Sequence, residues 1–357
     1  MIRQTVSNLI AIFQVLIRKK LSSIIKQCWN LLIGLGDEKK PFTRTKAYQS
    51  INSEYESFIA EYKKNKNCYK VTSNSKKTKL TEIVLLTRTY NLQDLKDWLH
   101  WHLDIIGFDC VHIFDNESLV DIKPLCDNYG SRVTYEKIKG FPDQYALYNR
   151  YINNESPAWW VLPIDDDEFV YIGKQFNHNV SELLLSLSDK WQDMVKLSIG
   201  WRNMFPVEFT QIRTKSLIEN ATGWSDEVCS ELQSIWRQDN RWIKTFVKTS
   251  FPWYWGIPYN SGHNPTMNNG FLINARTIDG RFLSQDYAKS YINNDNLFIA
   301  HFQYKSNEEW IMKCKNRPSP ANKTFNKNKP EVYSKLYEYK DRFKTFDGLA
   351  KLWSIRQ

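Results

Sequence analysis

Four acids stand in a row in this 357-residue chain, Asp165-Asp166-Asp167-Glu168, directly after the apolar run Trp159 to Ile164. Consecutive carboxylates repel one another, and at the end of a buried strand water screens them poorly. A cation relieves that repulsion. In an extended segment residues two apart point the same way. The spacing therefore predicts Asp165 and Asp167 on one side and Asp166 on the other. Two carboxylates on one side suit a hard divalent ion, Mg²⁺ or Mn²⁺, which keeps further positions for water and phosphate. A metal bridging a diphosphate stabilises the charge that grows on a leaving nucleotide. Short acidic runs are also common as solvated turns. The apolar strand before this one and Phe169-Val170 after it favour the chemical reading.

The elements that must position these acids follow from hydrophobic period. Glu82 to Arg88 (EIVLLTR) suits a buried strand. Asn91 opens a helix, with Asp94 three residues later in the sense of a capping box. Leu92, Leu95, Leu99, Leu103 and Ile106 line one face, and Gly107 caps the end. A strand from Cys110 to Phe114 stops at Asp115-Asn116. A helix around Asp121 to Asn128 ends at Gly130, and a third strand runs from Arg132 to Glu136. A third helix puts Tyr145, Tyr148, Tyr151 and Ile152 on one side, and Trp159 to Ile164 is the fourth strand. This β-α-β-α-β-α-β order predicts an α/β fold, a mostly parallel sheet flanked by helices. Ligands of such sheets lie beyond the carboxyl ends of the strands. Here those ends carry Thr87-Arg88, Asp115-Asn116 and Asp165 to Glu168. Met194 to Ile199 reads as a further strand, and residues 200 to 275 as glycine-, proline- and aromatic-rich loops over a site.

Three segments are expected: 1–80, N-terminal amphipathic helices and a Lys-rich linker; 81–305, the α/β core; and 306–357, a charged C-terminal helical segment. Ile2, Val6, Leu9, Phe13 and Leu16 recur at helical spacing, and Arg18-Lys19-Lys20 closes the stretch. It is shorter than the ~20 apolar residues of a membrane span. Its composition fits peripheral contact with an anionic membrane surface or packing on protein. A cytoplasmic location, at the inner membrane face, fits that pattern. The net charge of +10 implies an anionic partner. No nucleic-acid module is visible, so no nucleic-acid partner is expected. The six cysteines are scattered, with neither zinc spacing nor a disulfide framework. Cys110 and Cys126 read as small core residues.

Several short blocks together resemble glycosyltransferase family 92 and related family-2-like bacterial transferases. They are Asp97-Trp98-Leu99 with His102, Gly107-Phe108-Asp109, Phe114-Asp115-Asn116-Glu117-Ser118, Asp165-x-Asp167-Glu168-Phe169, Trp201-Arg202, and His301-Phe302-x-Tyr304-Lys305-Ser306 with Glu309 and Lys313. The patchwork spans roughly residues 82 to 317. One departure is Tyr90-Asn91, where the family often has Asn-Glu after its first strand. The resemblance implies a GT-A-type core and transfer of a hexose from a nucleotide sugar, UDP-linked, with inversion, to a glycan or lipid-linked acceptor. Asp165 and Asp167 would hold the metal–diphosphate. Thr87, Arg88, Asp115 and Asn116 would line the nucleotide pocket. His301 would be a further metal or diphosphate ligand, and Lys305 would meet a phosphate.

Inverting transfer needs a carboxylate to take the acceptor's proton. Asp226 is the candidate, with Glu227, Glu219 and Asp239 competing. Arg202, Arg213, Lys244 and Lys248 could hold diphosphate or an anionic acceptor, although surface solvation is the default for each. His263 is read as a structural loop histidine. Trp253-Tyr254-Trp255 could stack a sugar or anchor a loop. Two rival functions are a metal-dependent phosphodiesterase or nuclease, and a non-catalytic sugar- or nucleotide-binding protein on the same fold.

Overall fold

The computed structural model describes residues 46–64, 77–140, 142–206, 208–210, 212–232, 240, 242–251, 253–255, 264–267, 275–283, 292, 294–316 and 329–356. The amphipathic helices read in residues 1–36 lie outside these.

The first described helix, α1 (Lys46–Lys64), has no counterpart in the sequence reading. It buries Tyr55, Phe58 and Ile59, and the Tyr55 and Phe58 rings pack on Trp159 at 5.1 and 5.8 Å. Trp160 Nε1 donates to the Tyr55 hydroxyl at 3.0 Å.

The core then follows the expected alternation: β1 (Lys79–Thr87), α2 (Leu92–His100), β2 (Cys110–Asn116), α3 (Lys123–Asn128), β3 (Val133–Ile138), α4 (Gln144–Asn154) and β4 (Ala158–Pro163). Asn91 caps α2, its side chain accepting from the Gln93 N–H. Asp94 plays no part in that cap; its carboxylate is taken by two distant cations, described below. The helix continues as a π-turn over Trp101–Ile105. It stops before Gly107, whose φ of +82° glycine adopts readily and other residues only at a cost. β1, β2, β3 and β4 are mutually parallel neighbours in the order β4-β1-β2-β3. The chain builds outward from β1 to β3, then returns to the other side of β1. The strand order thus reverses between β1 and β4, and a crevice opens at their carboxyl ends.

The second half extends the sheet in mixed sense. β5 (Glu168–Ile172), α5 (Val180–Lys190), β6 (Lys196–Asn203), β7 (Ile243–Lys248) and β8 (Leu297–His301) follow. β7 lies antiparallel between β4 and β6. β8 is parallel to β6 and antiparallel to β5, with His301 opposite both Asn203 and Glu168. Gly200 lets β6 pass close to the backbone at Ile292, because a Cβ there would clash with the Ile292 carbonyl oxygen. The last helices place Trp310 and Trp353 in the core. Cys110, Cys126 and Cys229 are buried free thiols. No described helix is long and apolar enough to cross a membrane.

Candidate active site

β4 ends at Pro163 and the acidic run closes a turn: the Glu168 N–H donates to the Asp165 carbonyl at 3.1 Å. The expected extended alternation is therefore replaced. The cause is Glu168, whose side chain is fully buried. Its Oε2 accepts from the Asp165 N–H at 2.9 Å and lies 3.2 Å from Lys244 Nζ. Burial pushes the Glu168 carboxyl well above its ordinary value, against the pull of Lys244. Burial alone would lower Lys244, but Asp165 and Glu168 outweigh it and hold the ammonium above its usual range.

The turn separates the three aspartates. Asp165 pairs with Lys244 at 3.1 Å. Asp166 accepts from the Thr87 hydroxyl at 2.5 Å. Asp167 is buried, and its Oδ1 lies 3.6 Å from Nε2 of His301. All three line one cavity of about 690 Å³ at the β1–β4 crevice. Thr87, Arg88, His301 and Lys305 line it too, so with Asp165 and Asp167 six of the predicted site residues come together.

Six acids line the cavity (Asp94, Asp165, Asp166, Asp167, Glu308, Glu309) against Arg88, Lys305 and the imidazole of His301. Asp94 lies at its edge, bonded to Lys305 at 2.7 Å and to Arg213. Burial pushes the Asp94 carboxyl up, but Lys305 and Arg213 outweigh it and hold it below the ordinary range. Arg213 also reaches Glu309 at 2.9 Å, tying its loop to the C-terminal helix Asn307–Asn316. Lys305 is held above its usual range: burial lowers it, and Asp94, Asp166 and Asp167 more than reverse that. Arg88 Nε is buried with no hydrogen-bond partner among the described residues.

Other expectations fare differently. Asp115 and Asn116 do not line the cavity. Asp115 accepts from the Ser118 N–H and the Tyr135 hydroxyl, both at 2.8 Å, and Ser118 in turn accepts from the Thr89 N–H at 2.8 Å. Its place is behind the Thr87–Thr89 wall, which it supports. Asp226 also lies off the cavity, accepting from Asn240 Nδ2 at 2.6 Å. Glu219 is spent in a capping box with Ser216, and Glu227 pairs with Arg342 at 2.8 Å. Asp239 and His263 lie outside the described residues. None of the four cations weighed as binders of diphosphate or acceptor lines the cavity; Arg202, Lys244 and Lys248 are buried and Arg213 is half-buried. Arg202 pairs with Asp295 and packs on Trp224 and Phe298, and Lys248 lies 3.8 Å over the Tyr55 ring. Trp253 and Trp255 are core residues, bonded through their N–H groups to Asn153 and Asn149. His102 is structural. Its Nε2 accepts from Val170, its Nδ1 bonds Trp98 O, and burial lowers it to about 3.

The missed site residues are Asp94, Glu309 and Trp201, whose ring packs on His301 at 4.2 Å. Trp201 and Glu309 stand within the motif blocks; for Asp94 the only signal was an acid in a first helical turn.

Among the described residues no group of three or more His, Cys, Asp or Glu side chains is arranged to hold a metal. Asp167 and His301 do fit two positions of one small cation, because their facing atoms at 3.6 Å can both reach a metal at about 2.1 Å. An acid-rich wall of this kind repels anions and attracts cations.

No family model matches this chain, and no curated protein matches it. Solved structures show partial likeness. The crystal structure of S. aureus TarS 1-349 in complex with UDP is 13% identical, with a TM-score of 0.30 over 48% of this chain and 47% of that one. The same fragment in complex with UDP-GlcNAc gives 13%, 0.28, 48% and 46%. A mycobacterial protein gives 14%, 0.28, 48% and 53%. The chain thus spans about half the length of each.

Proposed function

We propose that this protein is a nucleotide-sugar glycosyltransferase with a GT-A-type core. It moves a hexose, with inversion, from a UDP-linked donor to a glycan or lipid-linked acceptor, using Mn²⁺ or Mg²⁺. The observation that carries this reading is the Asp165-Asp166-Asp167 turn, which lines a cavity at the β1–β4 strand-order reversal with Arg88, His301 and Lys305. Asp167 and His301 would hold the cation. Bound there, it would neutralise charge building on the leaving diphosphate. Arg88 Nε and Lys305 would donate to diphosphate oxygens. Thr87, bonded to Asp166, and the wall supported by Asp115 would bound the nucleotide. Lys244 holds Asp165 and Glu168 in place, so the turn keeps its shape before any ligand arrives. Asp226 is not among the described residues lining the cavity, so the proposal gives it no contact with acceptor. Residues 1–36 would contact an anionic membrane surface.

UDP release from a panel of UDP-sugars, with Mn²⁺ and with EDTA, tests this for wild type and Asp167→Asn. Metal-dependent release from one donor, lost in the variant, supports it. A folded protein that binds no UDP-sugar and no nucleotide overturns it in favour of another ligand for the same fold.

A further inference from the structure

Behind His301 lies a buried chain of amides that no reading of the cavity requires. Nδ1 of His301 is 2.9 Å from Oδ1 of Asn203. Nδ2 of Asn203 is 2.9 Å from Oδ1 of Asn240, and Nδ2 of Asn240 is 2.6 Å from Oδ1 of Asp226. Asn203, Asn240 and His301 are all buried.

The direction of this chain is dictated by groups that cannot change role. The backbone N–H of Asn203 also points at the same Asn240 atom, at 2.8 Å. A backbone N–H only donates, so that atom is the amide oxygen. The Asp226 carboxylate accepts at the far end, which agrees. The Asn203 atom facing the Asn240 oxygen must then be its NH₂, and its oxygen faces His301. An amide oxygen only accepts, so the imidazole proton is on Nδ1. In the neutral ring Nε2 is then the lone-pair atom, and it faces Asp167 Oδ1 at 3.6 Å.

We infer that Asn203, Asn240 and Asp226 are positioning residues that lock His301 in its Nδ1–H tautomer and present Nε2 to the cavity as a ligand atom. Asp226 thereby acts on the site through two amides, without touching a substrate. The Trp201 ring packs against the imidazole, centroids 4.2 Å apart, and resists rotation that would carry Nδ1 away from Asn203. The register of β6 and β8 makes the arrangement possible, because His301 and Asn203 are direct partners. Hydrogen bonds of this kind behind a metal-binding histidine fix its tautomer and ring orientation.

The test reads the imidazole directly, so it is independent of whether the chain transfers a sugar. The full chain is labelled with ¹⁵N-histidine, and His301→Gln identifies the His301 signals in long-range ¹H–¹⁵N spectra. Wild type is expected to show a protonated Nδ1 and a bare Nε2. A protonated Nε2 with a bare Nδ1 overturns the inference, whatever the variants do. Asn203→Leu removes the acceptor, and the Nε2–H tautomer should appear. Mn²⁺ affinity, read by water-proton relaxation, should fall by about 10- to 100-fold. A folded Asn203→Leu that keeps a pure Nδ1–H signature overturns the role given to Asn203. A wild type that binds no Mn²⁺ overturns the cation in the proposed function and leaves the tautomer result to stand on its own.

Discussion

Lys244 is the cation on which the acidic turn depends, and Lys244→Met isolates its contribution. The ammonium lies 3.2 Å from Glu168, whose side chain is 0% exposed, and 3.1 Å from Asp165, 38% exposed. At an effective dielectric constant of about 20, a pair at this distance attracts by roughly 5 kcal/mol before desolvation is counted. The net loss on deleting one partner of a buried pair is about 3–5 kcal/mol, because the other charge stays buried. Asp165 adds at most about 1 kcal/mol, since water screens it. Methionine keeps most of the stem volume, so packing changes little. The assay is urea unfolding followed by tryptophan fluorescence, from pH 8 down to pH 5. Glu168 is already raised by burial, and without Lys244 it rises further. A carboxyl raised in the folded state stabilises fully below its unfolded value, about 4.3, and less as pH climbs through the folded value. The deficit of Lys244→Met should therefore be widest at pH 8 and shrink toward pH 5. Adding Glu168→Gln should restore most of it. A single variant within about 1 kcal/mol of wild type at pH 8, or a double variant no better than the single, refutes the reasoning.

Three further outcomes follow from the same structure. Glu82 is raised from 4.5 to about 7 by burial, against donation from Ser156 and Tyr151; stability should be full below pH 4.5 and fall by on the order of 3 kcal/mol as pH rises to about 7, at 1.36 kcal/mol per pH unit. Glu82→Gln should flatten that fall, and a wild-type urea midpoint constant across the window counts against it. Lys305→Met should raise the Kd for UDP about tenfold in calorimetry, the worth of one charge-assisted hydrogen bond; unchanged affinity removes Lys305 from the donor site. Gly200→Ala drives a Cβ into the Ile292 carbonyl and should cost about 1–3 kcal/mol in urea unfolding, while a neutral result means that β6 has room to shift.

What was legible in the sequence was local. Buried strands such as Glu82 to Arg88 and Trp159 to Ile164 announce themselves by unbroken apolar runs, because both faces of a central strand are covered. Asn91 could be read as a cap because its bond reaches only two residues along. The alternation of those elements gave the α/β class, and strand ends pointed to Thr87, Arg88 and Asp165 through Asp167. His301 and Lys305 were reached through a resemblance of motifs, since nothing adjacent to them in sequence reveals what they face. The tertiary structure alone decided the pairing of charges. Lys244 meets Asp165 across 79 residues, and Lys305 meets Asp94 across 211. Those contacts go with an acidic run that turns where an extended segment was expected, an Asp94 withdrawn from its cap, and a buried Lys244. The physical reason is range: propensity and period act between neighbours on the chain, whereas a buried charge is settled by whichever opposite charge the fold brings within about 4 Å of it.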